Sequence, residues 1–242
     1  MRVLVISDIH ANLAAFEAVL ADAAGKWDMI WFLGDLVGYG PDPNECVSLM
    51  QDQPHISLCG NHDWAVLGKL DINGFNPEAK QAIEWTQSIL TDGSRTYLDA
   101  LDATTYEDPF TLAHASMRQP IWEYILDAYT AAINFMFLET PFALVGHTHV
   151  PIIYEERGQK VVATHAPDYD IPVQLNRNRL IINPGSVGQP RDSDPRAAYA
   201  ILDTTAMTWQ FYRIDYPIKR TQMRMRQYGL PERLVARLSY GW

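Results

Sequence analysis

Met29-Ile30-Trp31-Phe32-Leu33-Gly34-Asp35 is the stretch that decides the fold. Five apolar residues in a row suit a strand covered on both faces, and the glycine and carboxylate that close the run stand at the strand's exit. Loops at the carboxyl ends of strands are where open α/β sheets place their chemistry, and a carboxylate with two oxygens can bridge two metal ions. Three further stretches put ligand-type residues in the same setting: Ser7-Asp8-Ile9-His10, Gly60-Asn61-His62-Asp63 and Gly146-His147-Thr148-His149. Asp35 is read as their common bridge.

Working outward, Val3 to Ile6 reads as a buried strand that delivers Asp8 and His10. Asn12 caps the next helix, whose apolar stripe is Leu13, Phe16, Val19 and Leu20. After Gly38-Tyr39-Gly40-Pro41, the order Asp42-Pro43-Asn44-Glu45 predicts a capping box and a short helix. Ile56 to Cys59 forms a third short strand ahead of Asn61 and His62, and helices follow from Asn76 and from Ser94 to Leu101. Residues 64–102 read as a helical insertion or lid. Phe110 to Ala113 and Phe142 to Val145 are strands that end at His114 and at the Gly146 run. Between them, Tyr129, Ile133, Met136 and Phe137 fall at helical spacing and read as core. Short strands without crossover helices follow Ile152, at 152–154, 161–164, 171–175, 180–183, 197–202 and 208–213, and predict hairpins forming a second sheet. Residues 217–242 close the chain as a helical end, and one domain is expected over 1–242.

The 242 residues suffice for one sizeable core, and with 48% hydrophobic and 20% charged residues the chain falls in the ordinary globular range. Its amino-terminal apolar run is too short for a signal peptide and no stretch is long enough to span a bilayer, so a cytoplasmic location away from membranes is expected. Cys46 and Cys59 fit no metal-pair spacing. The net charge of −10 argues against a nucleic-acid partner, although metals in an acidic pocket reverse the sign locally. Lys219, Arg220, Arg224, Arg226, Arg233 and Arg237 crowd the carboxyl-terminal end and read as a helix face paired with the acidic body.

Five of the seven histidines, His10, His62, His114, His147 and His149, directly follow predicted strands; His55 and His165 do not and read as ordinary structural histidines. The ordered set Asp8-Ile9-His10, Gly34-Asp35, Gly60-Asn61-His62-Asp63, His114 and Gly146-His147-Thr148-His149 resembles the calcineurin-like metallophosphoesterase superfamily. The turn run Asn183-Pro184-Gly185-Ser186-Val187-Gly188 is similar to bacterial members. The resemblance implies an α/β fold in which two mixed β-sheets pack face to face as a sandwich flanked by helices. It also implies one metal held by Asp8, His10, Asp35 and His149, and a second held by Asp35, Asn61, His114 and His147. Mixed imidazole and oxygen ligands suit two ions of Mn, Fe, Zn or Ni. A bridging hydroxide on such a pair attacks a phosphoester in line.

In this reading His62 protonates the departing alkoxide or steadies charge on the phosphoryl oxygens, and Asp63 orients its ring. Arg118 and Arg191 are candidates to grip substrate phosphate, and the backbone N–H groups of Ser186 to Gly188 could cradle an anion. Gly38-Tyr39-Gly40-Pro41 stands where protein phosphatases of the superfamily carry an Asp-Arg-Gly run, which points away from phosphoprotein substrates. The expected activity is hydrolysis of a small phosphodiester or phosphomonoester. Two rivals are a catalytically silent binding module of the same fold and a nuclease. Intact ligand positions weigh against the first and the acidic charge against the second.

Overall fold

The computed structural model describes residues 1–158, 161–169, 171–175 and 178–242. Its first half alternates strand and helix: β1 (Arg2–Ile6), α1 (Leu13–Asp22), β2 (Met29–Phe32), α2 (Pro43–Gln51), β3 (His55–Ser57), α3 (Asn61–Val66), α4 (Pro77–Ile89) and α5 (Asp92–Asp99). Then come β4 (Thr104–Glu107), β5 (Phe110–Ala113), α6 (Ala128–Phe135), β6 (Phe142–Leu144), β7 (Ile152–Glu156), β8 (Val162–His165) and β9 (Val173–Gln174). Strands β10 (Leu180–Asn183), β11 (Ala197–Asp203) and β12 (Thr208–Ile214) precede helices α7 (Ile218–Gln227) and α8 (Glu232–Arg237).

The strands form two six-stranded mixed sheets, in the orders β3-β2-β1-β11-β12-β9 and β4-β5-β6-β10-β7-β8. Strands β1, β2 and β3 are mutually parallel, as are β5, β6 and β10. Alternation along the strands explains the layering. Val3, Val5, Trp31 and Leu33 meet Phe110, Leu112, Phe142, Leu144 and Ile182 between the sheets. The intervening Leu4, Ile6, Ile30 and Phe32 turn outward onto Phe16, Val19, Val47 and Met50 of the helical layer. On the far side of the second sheet, Ala143, Val145, Tyr154 and Ile181 pack with Ala131 and Phe135 of α6. Helices α4 and α5 supply Ile83 and Leu98 to the helical layer on the first sheet, while Ala79 and Ala82 face Leu234 and Val235 of α8.

Four expectations are corrected. The late strands do not make a sheet of their own: β11 pairs antiparallel with β1, and β12 and β9 follow it, while β7, β8 and β10 join β5 and β6. Local alternation carries no information about which sheet a strand enters. Strand β4, paired with β5, was not expected. Tyr129, Met136 and Phe137 are exposed at 77%, 71% and 52%, because the inward stripe of α6 is Ala131, Asn134 and Phe135. Asn134 claims a core position through hydrogen bonds to Glu123, to the Thr130 carbonyl and from the Arg118 N–H. Asp42 stands at the start of α2 but makes no capping bond, since its carboxylate pairs with Arg224. Asn12 does cap α1, accepting from the Ala15 N–H at 3.3 Å.

Four of the six basic residues of α7 and α8 pair with acid side chains: Arg220 with Glu17, Arg224 with Asp42 and Arg233 with Glu78 of the body, and Arg226 with Glu232 within the segment itself. Phe110 is fully buried between the sheets, its ring 5.6 Å from Trp31 and 5.2 Å from Phe142. Phe110→Ala therefore costs about 3–5 kcal/mol. Denaturant unfolding checks this, and a loss below about 1 kcal/mol would contradict the sandwich packing.

Candidate metal centre

The parallel strands of both sheets deliver their exits to one end of the sandwich, and the five ligand-type segments converge there. Asp8, His10, Asp35, His147 and His149 all adopt left-handed backbone conformations, with φ of 54°, 49°, 61°, 64° and 60°. Each such position costs a non-glycine residue on the order of 1 kcal/mol or more, so strain is concentrated on these side chains. Two glycines make room. A Cβ at Gly60 would stand 2.1 Å from Asp35 Oδ1, and one at Gly38, whose φ is 87°, would stand 2.7 Å from His62 Nδ1.

Two groups of buried ligands result: Asp8, His10 and His149, and Asp35, His114 and His147. His149 Nε2 lies 3.3 Å from Asp8 Oδ1 and 3.2 Å from His10 Nε2. In the second group His114 Nε2 lies 3.2 Å from both His147 Nδ1 and Asn61 Oδ1. Asp35 Oδ2 sits between the groups, 3.5 Å from His10 Nε2 and 3.4 Å from His114 Nε2.

Each imidazole is anchored by its other nitrogen. His10 Nδ1 donates to the Val37 carbonyl, His114 Nδ1 to Leu33, His149 Nδ1 to Gln189 and His147 Nε2 to Trp122, at 3.2, 2.8, 2.6 and 3.2 Å. That pattern fixes the ring orientation and turns the second nitrogen inward, the arrangement that metal-ligating histidines require. Asp8 Oδ1 and Asp35 Oδ2 are buried without a hydrogen-bond partner among the described residues. Carboxylate oxygens orphaned next to inward-facing imidazole lone pairs are costly unless a cation completes them, so the donor set fits bound metal.

Electrostatics agree. Burial pushes His10, His147 and His149 well below the usual histidine range, leaving neutral imidazoles. Burial also pushes Asp8 up, to about 7. For Asp35 burial acts upward too, but the charges of His114 and His62 outweigh it and hold the carboxyl below its ordinary value. His114, which burial alone would depress, is raised to about 9 by the Asp35 carboxylate. The metal-free site thus keeps a proton on His114.

Asp63 serves differently from the sequence expectation. Its carboxylate accepts the backbone N–H groups of Asp35, Leu36, Val37 and Gly60 at 2.9–3.2 Å, so it braces the Asp35 loop instead of touching the His62 ring. His62 is 3% exposed, its backbone N–H donates to Asp35 Oδ1 at 2.8 Å, and its Nδ1 has no partner among the described residues. Burial lowers its pKa to about 4. Arg118 is engaged by Glu123, whereas Arg191 lies beside the site with its guanidinium 5.8 Å from the Tyr39 ring. The Val187 and Gly188 N–H groups are also occupied, by the Ser7 and Asp8 carbonyls, so the turn at 183–188 braces the first ligand loop and offers no anion cradle there.

Two surrounding residues escaped the sequence reading: Tyr39 packs on His62 and His10 at 4.2 and 4.7 Å, and Phe75 stands edge-on to His62 at 5.2 Å. Tyr124, from the aromatic loop that the sequence marks as shaping specificity, stacks on His147 at 3.9 Å. Only the Gly38-x-Gly40 frame around Tyr39 was a usable signal, because it marks close approach of backbone to a neighbouring group.

A six-on-six strand sandwich bearing two clusters of inward-turned imidazoles and carboxylates at its strand exits is a metallophosphoesterase architecture. The family model described as calcineurin-like phosphoesterase superfamily domain matches residues 1–207, and the chain belongs to that superfamily. The chain is 49% identical to a metallophosphoesterase from Sphaerobacter thermophilus, whose crystal structure superimposes with a TM-score of 0.92, covering 100% of this chain and 99% of that one. It is 37% identical over 246 residues to an uncharacterized protein of Methanocaldococcus jannaschii, covering 99% of this chain and 98% of the relative. A hypothetical protein from Pyrococcus horikoshii OT3 shares the fold at 19% identity, with a TM-score of 0.80 over 100% of this chain and 98% of that one. No helix among the described residues is long and apolar enough to cross a membrane.

Because ligation requires His114 neutral, metal must displace its proton below about pH 9, and the Asp8 proton as well below about pH 7. Apparent Mn(II) affinity should therefore rise about tenfold per pH unit from 7 to 9, more steeply below 7, and level off above 9. Titration calorimetry in buffers of differing ionisation enthalpy counts the released protons. Affinity independent of pH would contradict the assignment.

Proposed function

We propose that the protein is a dinuclear metal-dependent hydrolase of small phosphate esters, a phosphomonoester or phosphodiester. The observation that carries this reading is the set of four imidazoles, each held by a backbone carbonyl, whose second nitrogens face two orphaned carboxylate oxygens. Asp8, His10, Asp35 and His149 would hold one ion, and Asp35, Asn61, His114 and His147 the other, with Asp35 shared. Bound there, two ions such as Mn, Fe, Zn or Ni would supply Lewis acidity toward the phosphoryl group and acidify the attacking water.

The chain's own residues supply the rest. Asn61 contributes a neutral oxygen and so limits the negative charge around the phosphoryl group. Asp63 holds four N–H groups of the Asp35 and Gly60 segments in place, which keeps Asp35 and Asn61 in register. His62, boxed by Tyr39 and Phe75, is kept neutral by burial in the resting protein. An anionic phosphate beside it raises its proton affinity, so it gains a proton on substrate binding and gives it to the leaving oxygen. Arg191, free of any carboxylate partner among the described residues, grips a phosphoryl oxygen; Arg118, occupied by Glu123, is the weaker candidate.

Protein loaded with Mn(II) should hydrolyse 4-nitrophenyl phosphate or its bis ester. His62→Ala should lower kcat by about 10²–10⁴ while retaining two metals per chain by elemental analysis. Wild-type turnover in that variant would remove His62 from the chemistry, and a wild-type protein inert with every divalent metal would sink the hydrolase reading.

A further inference from the structure

The rings packed on the histidines of the metal centre are not equally covered. Tyr39, against His62 and His10, is buried, whereas Tyr124, stacked on His147 at 3.9 Å with 24° between the planes, is 45% exposed. On the other flank Phe75, edge-on to His62, meets Trp122 at 5.1 Å, and Trp122 is 42% exposed. The candidate metal ligands are themselves buried, so Tyr124 and Trp122 are the rings of the centre that meet solvent.

The chain that carries these two rings is pinned. Ile121 and Ile125 are buried on either side, and Glu123 between them accepts from Ser116 Oγ at 2.7 Å and from Asn134 Nδ2 at 2.9 Å. The Trp122 carbonyl accepts from His147 Nε2, and the Ile125 carbonyl from the Tyr154 hydroxyl, each at 3.2 Å. Alternate side chains are thus drawn inward, and Trp122 and Tyr124 are left facing outward on a backbone held at 122, 123 and 125. The segment 72–75 closes on the same ring from across the site, since a Cβ at Gly74 would stand 3.9 Å from Trp122 Cζ2. Aromatic side chains of this size ordinarily contribute by being buried, and rings held in place beforehand lose little freedom when a ligand covers them. No ammonium or guanidinium packs over Trp122 or Tyr124 among the described residues. Uncharged ring faces beside a phosphoryl site suit a flat, uncharged π system.

We propose that Trp122 and Tyr124 are specificity-determining residues, stacking on a flat ring in the organic part of the substrate while the phosphoryl group lies at the metals. The substrate class is then a phosphate ester of a nucleoside, or of another alcohol bearing an aromatic ring, in preference to the ester of a plain sugar. The position of the phosphoryl group rests on the hydrolase reading above; the stacking does not.

The test compares adenosine 5′-monophosphate with ribose 5-phosphate, which present the same phosphoryl group and leaving oxygen and differ in the base. Metal-loaded wild-type protein is set beside Trp122→Leu and Tyr124→Leu, which keep apolar bulk without a ring, and Trp122→Phe and Tyr124→Phe, which keep a ring. Phosphate release and calorimetric affinity are both read, as ratios between the two compounds, so that a uniform loss of activity cancels. Wild type should favour the nucleotide by about tenfold or more in kcat/KM and in affinity. Each leucine variant should bring the ratio toward one, and each phenylalanine variant should keep most of it. A wild-type ratio near one, a ratio that survives both leucine substitutions, or one that falls equally in the leucine and phenylalanine variants overturns the proposal. If wild type hydrolyses neither compound nor 4-nitrophenyl phosphate, the hydrolase reading fails by itself, and the affinity ratios decide the stacking surface by the same criteria.

Discussion

The centre depends on how one carboxylate is held. Asp35 leaves β2 in a left-handed conformation, its N–H is fixed by Asp63, and its Oδ1 accepts the His62 N–H. Those bonds leave Oδ2 buried, unpartnered and within 3.5 Å of an imidazole from each ligand group. The rest of the end of the sandwich follows from keeping that oxygen in place. Gly60 admits the carboxylate, Gly38 admits the His62 ring, and the turn at 183–188 fastens the Asp8 loop from behind through the Ser7 and Asp8 carbonyls.

Strain on this scale needs a stiff frame. The left-handed ligand positions persist because two sheets and a helical layer over-determine them, and because the final helices tie back to the same loops. Thr221 of α7 donates to Asn12 Oδ1 at 2.8 Å, and Asn12 Nδ2 donates to the Gly188 carbonyl at 2.8 Å, joining α1, α7 and the bracing turn at one buried amide. Arg224 clamps Asp42 of the loop beyond Tyr39. The basic carboxyl-terminal segment thus belongs to the architecture of the centre as well as to its surface.

What could be read from the sequence was whatever a local pattern encodes. The convergence of Asp8, His10, Asp35, Asn61, His114, His147 and His149 was legible because each follows a short strand, and parallel strands bring their exits to one end. The pairing of β1 with β11 was not legible, since the contact joins residues nearly two hundred positions apart and alternation is the same in either sheet. The outward face of α6 was misread because Asn134 is buried by hydrogen bonds that no periodicity reveals, which turned Tyr129 and Met136 to solvent. Asp63 was assigned to its sequence neighbour His62, while its oxygens reach backbone groups 26 to 28 positions away.

Anomalous scattering from crystals soaked in Mn(II) tests the central claim most directly. Two peaks, both in contact with the Asp35 carboxylate and each completed by one of the two imidazole groups, are the predicted result. A single peak, or a pair in which Asp35 touches only one ion, would contradict the shared carboxylate on which the account is built.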